Sequence, residues 1–329
     1  MRLSVIIPCY NVQNSIHLLV NSVLGQIKDR DIEVICVNDG SVDNTLEVLS
    51  DIAKSNPQLI VVNQKNGGPA SARKAGLNKA TGNYIWFVDG DDSIAANAID
   101  TLLSEIDKNP TDIICFDYKK VDSDGNDIHS FKPGEYDYNQ TFTGTEAYAK
   151  YRIPAYLWNR IIKRELIEKN NIRFGIIPED EDFLIHTYLA AGSLRFINDI
   201  LYDYKQFDVS FSKSLSSFLK YYNGYFQILK KYQVYATSEC NKEFWTSFLV
   251  TCIKNAIINY NRVRIVDSTK IADDRFAMYK KLRTYVDLYD GKYDKSGMNY
   301  LFILIAKKCP FVWDYSCYLL YKHKYQKTI

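Results

Sequence analysis

The sequence lacks the marks of disulfide scaffolds, zinc domains and membrane-spanning proteins. Its seven cysteines include no Cys-x-x-Cys pair and no Cys/His cluster, so we expect neither disulfides nor zinc. The longest uninterrupted apolar run, residues 301–306, is far shorter than the ~20 residues of a membrane-spanning helix. The apolar run at residues 3–8 is too short for a signal peptide. We therefore expect a cytoplasmic protein, with peripheral attachment to the cytoplasmic face of an inner membrane left open.

The composition is that of an ordinary folded chain with an uneven charge distribution. Of the 329 residues, 47% are hydrophobic and 24% are charged, which excludes disordered and collagen-like proteins. Residues 1–214 carry 22 basic and 30 acidic side chains, whereas residues 215–329 carry 19 and 9, together with 15 of the 26 tyrosines. The two parts are expected to meet different partners.

Strands and helices alternate over the first hundred residues. Short runs rich in Val and Ile, each ending in polar residues, predict strands at 3–8, 32–38, 59–64 and 84–88. Amphipathic segments predict helices at 15–26, 43–55, 69–80 and 95–108. This order indicates an α/β fold whose mostly parallel central sheet is flanked by helices. Ligands of such sheets bind beyond the carboxyl ends of the strands.

The pattern changes further along the chain. It predicts a strand at 112–119, a loop or hairpin at 122–138, interrupted helices at 148–170, a helix at 182–191 and a strand at 194–204. From about residue 214 the pattern is helical throughout, with a break near 287–296. An α-helical C-terminal extension is therefore expected to follow the α/β part.

Polar and aromatic residues follow each of the first four strands. They are Pro8, Tyr10 and Asn11, then Asp39, then Asn66, Gly67 and Arg73, then Asp89, Asp91 and Asp92. Because parallel strands end at one edge of a sheet, these residues are expected to meet there. The set suits a nucleoside diphosphate: Tyr10 can flank a base, Asp39 can accept from a base N–H, and Arg73 can meet the diphosphate.

The acidic cluster Asp89, Asp91 and Asp92 has two interpretations. Three carboxylates within four residues repel one another unless a cation or water lies between them. Mg²⁺ and Mn²⁺ bind one or two protein carboxylates together with substrate phosphates. The alternative is a solvated turn or a cap for the next helix. The position of the cluster after a buried strand favours a metal site formed by Asp91 and Asp92.

Together these motifs resemble the family 2 glycosyltransferases, which have the nucleotide-diphospho-sugar (GT-A) fold. The resemblance rests on SVIIPCYN at 4–11, NDGS at 38–41, NGGPASAR at 66–73 and DGDD at 89–92, and spans about residues 1–210. It implies metal-dependent transfer from a nucleotide-sugar, most often a UDP-sugar. Asp39 would then bind the base, Arg73 would approach the nucleotide, and Asp91 would contact the ribose or the metal. Asn38 stands where the family usually has a second Asp.

A second acidic motif, PEDEDF, lies at 178–183. Acidic residues are favoured at a helix N-terminus by the helix dipole, so capping is one interpretation. The other comes from the resemblance, because inverting members carry a Glu-Asp-x-x-Phe motif whose Asp is the general base. On that match Asp180 is the base, Glu179 lies beside it, and Phe183 anchors the helix. A base must lie within hydrogen-bond reach of the acceptor hydroxyl.

Further residues are assigned to the acceptor or diphosphate side by the same resemblance. Trp158 and Arg160 match a Trp-Asn-Lys segment in which Arg160 replaces the usual Lys. Lys205 and Ser210 match a Tyr-Arg…Ser-x-Ser stretch, with Lys205 in place of Arg. Trp158 can equally be a core residue, and Lys205 can equally be a solvated loop lysine.

These matches suggest three parts: a nucleotide-sugar half at 1–110, an acceptor and catalytic-base half at 111–213, and a basic, Tyr-rich helical region at 214–329. The expected partners are a nucleotide-sugar donor and a glycan or lipid-linked saccharide acceptor. The aromatic and cationic segment 298–327 either lies in a membrane interface or packs as a helical cap. No recognised motif for nucleic-acid binding accompanies the charge.

Three functions are weighed against one another. The first is an inverting transferase that extends a capsule, an exopolysaccharide or a lipopolysaccharide. A nucleotidyltransferase that makes sugar nucleotides would need a Gly-rich basic loop after the first strand, where the sequence has PCYN. A non-catalytic glycan- or nucleotide-binding module on the same scaffold is disfavoured by the intact Asp91, Asp92 and Asp180.

Overall fold

A computed structural model describes residues 2–27, 30–122, 125–129, 136–206, 214–235, 240–267 and 275–287. The strands are β1 Leu3–Cys9, β2 Ile32–Asp39, β3 Leu59–Gln64, β4 Tyr84–Phe87, β5 Ser93–Ile94, β6 Ile113–Val121, β7 Asp127–His129, β8 Thr141–Phe142, β9 Arg160–Lys163 and β10 Leu194–Lys205. The helices are α1 Ile16–Ile27, α2 Thr45–Ser55, α3 Pro69–Lys79, α4 Ala98–Lys108, α5 Gly144–Tyr151, α6 Arg164–Lys169, α7 Glu179–Ala190, α8 Leu215–Tyr232, α9 Lys242–Asp267 and α10 Arg275–Val286. Ser210, the predicted break near 287–296 and the segment 298–327 lie outside the described residues, apart from residue 287.

The chain divides into two compact units. Unit 1 comprises Met1–Gly144, Pro154–Gly175 and Phe183–Phe207, and unit 2 comprises Thr145–Ile153, Ile176–Asp182 and Asp208–Ile329. The segments Thr145–Ile153 and Ile176–Asp182 are thus grouped with the C-terminal helices. A division of the chain at residues 110 and 213 would instead place both segments in the middle part. The functional boundaries at 110 and 213 stay predictions.

Unit 1 is built on one mixed sheet. Its strand order is β3-β2-β1-β4-β9-β6-β10-β5, with β7 paired to β6 and β8 to β10. The pairs β1–β2, β1–β4, β2–β3 and β6–β10 are parallel, whereas β9 pairs antiparallel with both β4 and β6. Because β9 is antiparallel to both of its neighbours, β4 and β6 run in the same direction. Six strands therefore run the same way: β1, β2, β3, β4, β6 and β10. We call the edge where these six strands end the carboxyl edge.

The apolar strands form the core of unit 1. All eight residues of β2 are buried, and β1, β4 and β6 contribute further buried residues to the same apolar cluster as helices α1 and α4. Strands buried on both faces are expected to be apolar throughout rather than alternating. Helix α3 begins at Pro69 directly after Gly68, whose φ is +85°, because proline suits the first turn of a helix. The predicted α/β fold with flanking helices is confirmed.

The prediction for residues 148–170 is wrong in its middle part. These residues were expected to form interrupted helices, but the segment Arg160–Lys163 is strand β9, inserted between β4 and β6. Four residues are too few to show a strand period, and the surrounding segments do form helices α5 and α6. Pairing on both sides fixes β9 as a strand, which local sequence preference does not reveal.

The regular elements that the structure describes in unit 2 are helices, joined by short non-helical segments such as residues 176–178. Within this unit α8 and α9 bury aromatic side chains, among them Tyr232, Trp245 and Phe248, whose ring centroids lie 5.4–6.1 Å apart. The predicted helical C-terminal region is therefore confirmed for α8, α9 and α10. Among the described residues, no helix combines the length and the apolar character needed to cross a bilayer.

Candidate active site

The carboxyl edge brings together the residues that follow β1, β2, β3 and β4. The register pairs Cys9 with Asn38 and Asp39 with Gln64, so the first three strands end level with one another. Strand β10 ends at the same edge with Lys205, because β10 runs parallel to β6. The sequence-based expectation of one shared edge thus agrees with the sheet topology.

Asp39 organises the loop that follows β3. Its buried carboxylate accepts hydrogen bonds from Gln64 Nε2 at 2.6 Å, from Gly67 N at 2.9 Å and from Gly68 N at 2.8 Å. A carboxylate has about four acceptor positions, so one remains for a ligand N–H. Gly40 has a φ of +67°, and a Cβ there would lie 2.6 Å from Asn66 N. The loops after β2 and β3 are therefore held against each other.

The loop after β1 is fixed to the loop after β2. Asn11 adopts a left-handed φ of 53°, its N–H donates to Ser41 Oγ at 3.0 Å, and its Oδ1 accepts from Val42 N at 2.9 Å. Tyr10 is 49% exposed beside it, and Pro8 is half-buried. An exposed ring on a fixed loop is suited to stacking on a base.

One hydrogen-bonded chain connects four polar side chains at this edge. Arg73 donates to the carboxylate of Asp89 at 2.8 Å, and Asp89 N donates to Tyr202 Oη at 3.1 Å. The Tyr202 hydroxyl in turn donates to Asp92 Oδ2 at 2.6 Å, and Lys205 N donates to Asp92 Oδ1 at 2.8 Å. The acidic cluster after β4 is thereby connected to helix α3 through Arg73 and to strand β10 through Tyr202 and Lys205.

The carboxylates of this cluster differ in their surroundings. Asp92 is buried, and burial followed by the charges of Asp89 and Asp91 raises the pKa of its carboxyl well above the ordinary range. Asp91 is exposed, yet crowding by protein atoms and the charge of Asp89 raise the pKa of its carboxyl, while the nearby Lys205 opposes this. Asp91 is therefore the member that is open to a ligand.

The cluster suits a metal that is shared with a substrate rather than a metal cage. Among the residues that the structure describes, no three His, Cys, Asp or Glu side chains are grouped to hold an ion. Mg²⁺ and Mn²⁺ need only one or two protein carboxylates when phosphates complete the shell. Asp91, with Asp89 beside it, fits that requirement. Asp92 fits it less well, because both of its oxygens already accept hydrogen bonds.

Trp158 and Arg160 lie in the interior of unit 1. The Trp158 ring stacks on Tyr202 and Tyr156, with centroids 4.5 Å and 4.7 Å away, which matches its interpretation as a core residue. Arg160 is fully buried and donates to Pro154 O at 2.8 Å, to Asn159 Oδ1 and to the Tyr188 hydroxyl. In this structure its guanidinium supports the core and has no exposed surface; its acceptor-side role stays a prediction.

The second acidic motif forms the first turn of α7, and we call residues 179–182 the acidic turn. These four residues belong to unit 2, whereas α7 continues into unit 1 from Phe183. Glu179 and Asp180 are half-buried, and Glu181 and Asp182 are buried. Phe183 is fully buried and stacks on Phe174 at 4.4 Å, in agreement with its expected anchoring role.

Sequence reasoning missed two residues at the carboxyl edge. Tyr202 links Asp89 to Asp92, and Gln64 donates to both Asp39 and Ser71 Oγ. Strand pairing of β10 places Tyr202 there from more than a hundred positions downstream of Asp89. The only local signal was that Tyr202 lies near the end of a predicted strand, where ligand-site residues of parallel sheets collect.

Comparison with known proteins identifies the family. The sequence profile described as "Glycosyl transferase family 2" matches residues 4–169. This chain belongs to that family. It is 33% identical over 213 residues to the uncharacterized glycosyltransferase EpsJ of Bacillus subtilis, a match that covers 62% of this chain and 60% of EpsJ. The chain thus spans under two thirds of the relative it matches.

Two solved structures share the fold. S. aureus TarS 1-349 in complex with UDP-GlcNAc is 21% identical, with a TM-score of 0.64, and the match covers 99% of this chain and 92% of the TarS 1-349 chain. The mannosyltransferase PcManGT from Pyrobaculum calidifontis, in complex with GDP-Man and Mn²⁺, is 15% identical with a TM-score of 0.53, over 95% of this chain and 87% of that one. The predicted family 2 membership and GT-A fold are confirmed.

Proposed function

We propose that this chain is an inverting glycosyltransferase that moves a sugar from a UDP-sugar to a hydroxyl group of a growing cell-surface glycan. The observation that carries the proposal is the hydrogen-bonded chain from Arg73 through Asp89 and Tyr202 to Asp92. It holds the Arg73 guanidinium, and fixes the residues on both sides of the exposed Asp91, at the edge where parallel sheets bind nucleotides.

In the proposed reaction, the bond between the sugar C1 and the diphosphate oxygen breaks, and its electron pair leaves with the nucleoside diphosphate. The acceptor oxygen bonds to C1 from the opposite face, which inverts the configuration. Asp180 takes the proton of the acceptor hydroxyl. Arg73 stabilises the negative charge on the departing diphosphate. A bound Mn²⁺ or Mg²⁺ at Asp91, with Asp89 beside it, would supply further positive charge there.

The proposed identities of the nucleotide and the metal are supported by the carboxyl edge and by the structural relatives. TarS binds UDP-GlcNAc, which supports a UDP-sugar, and PcManGT binds GDP-Man with Mn²⁺, which supports a divalent metal and keeps GDP as the alternative nucleotide. In our proposal Tyr10 flanks the base, Asp39 accepts from it, and Asn66 and Gly67 line the nucleotide. Asn38 stands in place of the family's usual second Asp, so the selectivity for the nucleotide base is the property to measure first.

The proposed acceptor is a saccharide of a capsule, an exopolysaccharide or a lipopolysaccharide, either unattached or linked to a lipid. Glu179, Lys205 and Ser210 are proposed to lie on the acceptor or diphosphate side. Residues 215–329 carry 19 basic and 9 acidic side chains, and we propose that this region makes peripheral contact with an anionic membrane surface.

A thermal-shift panel tests the donor half of this proposal. UDP, GDP, CDP and dTDP are each added with and without Mn²⁺, because a ligand that binds only the native state raises the melting temperature with its occupancy. We expect a Mn²⁺-dependent shift with UDP that disappears in Asp91→Ala and persists in the surface variant Asp51→Ala. A shift with none of the nucleotides would favour a binding module that does not use nucleotide-sugars.

A further inference from the structure

The carboxylate of Asp182 is held by two side chains of helix α8 and by the main chain of Ile176. Its Oδ1 accepts from Tyr232 Oη and from Lys231 Nζ, each at 2.7 Å, and its Oδ2 accepts from Ile176 N at 3.1 Å. The Asp182 side chain is only 2% exposed. A buried carboxylate requires such compensation, and it is strongly destabilised when a partner is removed. A displacement of Asp182 relative to α8 would therefore break its contacts with Tyr232 and Lys231.

The neighbouring Glu181 is held by an earlier turn of the same helix. Tyr225 Oη donates to Glu181 Oε2 at 3.2 Å, and Asn255 Nδ2 of α9 donates to the Tyr225 hydroxyl at 3.0 Å. Burial raises the pKa of Glu181 to about 7, the charge of Asp180 adds to this, and the Tyr225 hydrogen bond opposes it. Cys252 of α9 also lies within electrostatic reach of Glu181.

A close main-chain approach completes the arrangement. A Cβ on Gly224 of α8 would lie 1.9 Å from Ile177 O, in the segment that leads into the acidic turn. Only glycine permits this separation, since distances under about 3.0 Å are essentially never observed for a real Cβ. Helix α8 therefore contacts both the acidic turn and the residues before it.

We propose that Tyr225, Lys231 and Tyr232 are positioning residues that set the direction of Asp180. This inference rests on the proposed role of Asp180 as the base. Successive side chains leave an α-helix at fixed angles, with 3.6 residues per turn. When Glu181 and Asp182 are both tied to α8, the first turn of α7 cannot rotate about its axis, and the direction of Asp180 is set with it. Displacements near 1 Å can cost a rate factor on the order of a hundred.

The proposal gives the C-terminal helical region a part in catalysis that its basic composition does not suggest. The family profile ends at residue 169, so neither the acidic turn nor α8 lies within it. Lys231, which is 36% exposed, forms an ion pair with Asp182 in this structure. Two tyrosines of unit 2, Tyr225 and Tyr232, likewise each donate a hydroxyl hydrogen to one acid of the turn.

The test compares Tyr232→Phe, Tyr225→Phe and Lys231→Met with the matched control Tyr235→Phe. Tyr235 lies in the same unit, is 48% exposed, and keeps its ring stacking on Trp245 as phenylalanine. The measured reaction is hydrolysis of the donor, in which water replaces the acceptor. Release of UDP from UDP-glucose, UDP-galactose and UDP-GlcNAc is followed with Mn²⁺ over a range of pH. We expect kcat to fall about tenfold in the three variants, while the donor KM stays within about twofold.

Two further readouts separate positioning from a merely structural role. In Tyr225→Phe, loss of the hydrogen bond to the ionised form raises the pKa of Glu181, so a limb of the pH profile near neutrality moves to higher pH. Amide hydrogen exchange in residues 176–182 is expected to quicken about fivefold in the three variants and not in Tyr235→Phe. The exchange measurement needs no turnover and so tests whether α8 holds the acidic turn even if the tested sugars are not donors, while kcat and the pH profile test the effect on catalysis.

Unchanged exchange, or an unchanged kcat in an active preparation, would overturn the positioning role. The proposed function fails separately, if Asp180→Asn releases UDP as fast as the unsubstituted protein. Loss of activity in Asp180→Asn together with normal behaviour of all three α8 variants would therefore refute the positioning inference alone.

Discussion

The carboxyl edge of unit 1 and the acidic turn of unit 2 are both groups of carboxylates, but different parts of the chain hold them. At the edge, main-chain N–H groups supply several of the hydrogen bonds to the carboxylates. Gly67 N and Gly68 N donate to Asp39, and Lys205 N donates to Asp92. At the acidic turn, side chains of α8 hold Glu181 and Asp182. These main-chain donors belong to a strand end or to the loop after a strand, whatever side chain stands there, whereas the donors of α8 depend on the identity of Tyr225, Lys231 and Tyr232.

This difference explains which parts of the site a sequence can reveal. A carboxylate after a strand predicts a residue at the edge, whatever the sequence of its neighbours. An acidic run at a helix start is compatible with simple capping, and its ties to α8 follow only from tertiary packing. The comparison predicts that substitutions in the two regions affect binding and turnover separately.

Asp180→Asn is expected to have the largest effect. Removal of a general base costs a factor of about 10²–10⁴ in turnover, and the amide cannot take the acceptor proton. In the proposed function nucleotide binding depends on the carboxyl edge, so the UDP-induced thermal shift is expected to stay as large as in the unsubstituted protein. Turnover and thermal shift are measured on the same preparation, with Asp51→Asn as a surface control.

The reciprocal variant, Asp91→Ala, completes this test. It is expected to abolish the Mn²⁺-dependent part of the UDP-induced thermal shift. It is also expected to lower the rate at limiting donor by raising the donor KM. If Asp180→Asn and Asp91→Ala impaired UDP binding equally, the separation of the two regions would be wrong.

Tyr202→Phe is expected to have the next largest effect, within the carboxyl edge itself. The substitution removes the donor to Asp92 and the acceptor of Asp89 N–H. Loss of a hydrogen bond to a buried charged group costs about 2 kcal/mol, so the free energy of unfolding and the UDP affinity are both expected to fall. Urea unfolding and UDP titration measure the two quantities. Tyr204→Phe on the same strand is the control, and equal losses in both variants would rule out a specific role for the Tyr202 hydroxyl.

Glu33→Gln is expected to change stability without changing nucleotide binding. Glu33 lies at the opposite edge of the sheet, where it accepts from Ser4 Oγ at 2.6 Å, from Thr81 N at 2.7 Å and from Gly82 N at 3.2 Å. Burial would raise the pKa of its carboxyl, but these hydrogen bonds outweigh burial and lower the pKa below 4.5. Its stabilising contribution is therefore present above about pH 4.5 and lost as the pH falls through the lower, folded-state pKa.

We expect Glu33→Gln to reduce the free energy of unfolding by about 1–2 kcal/mol near neutral pH and by less at about pH 3. Urea unfolding at both pH values checks this, with the UDP thermal shift as the internal control. A loss of stability that is the same at both pH values would show that the charge of Glu33 does not carry the effect.

Much of unit 1 could be predicted from the sequence, because its strands are apolar and end in turn residues. The first four strands and three helices agree with the predicted segments to within about three residues at each end. Strand β9 could not be predicted, since only pairing with β4 and β6 defines it. The predicted metal pair illustrates a second limit: spacing treats Asp91 and Asp92 alike, but only burial and the Tyr202 contact show that Asp92 is already bound by the protein.

Substitution of Asn11 is expected to have the smallest effect and separates backbone strain from hydrogen bonding at the edge. Asn11 adopts a φ of 53° and accepts from Val42 N at 2.9 Å. Asn11→Gly loses the hydrogen bond, about 1 kcal/mol, but glycine adopts this backbone conformation without strain, which offsets part of the loss. Asn11→Ala loses the same bond and retains a left-handed penalty of about 1 kcal/mol. We therefore expect Ala to be less stable than Gly by about 1 kcal/mol in urea unfolding, with the UDP affinity reduced to a similar extent in both variants, because both release the loop that carries Tyr10. Equal stability of the two variants would mean that the hydrogen bond, and not the backbone conformation, accounts for Asn at this position.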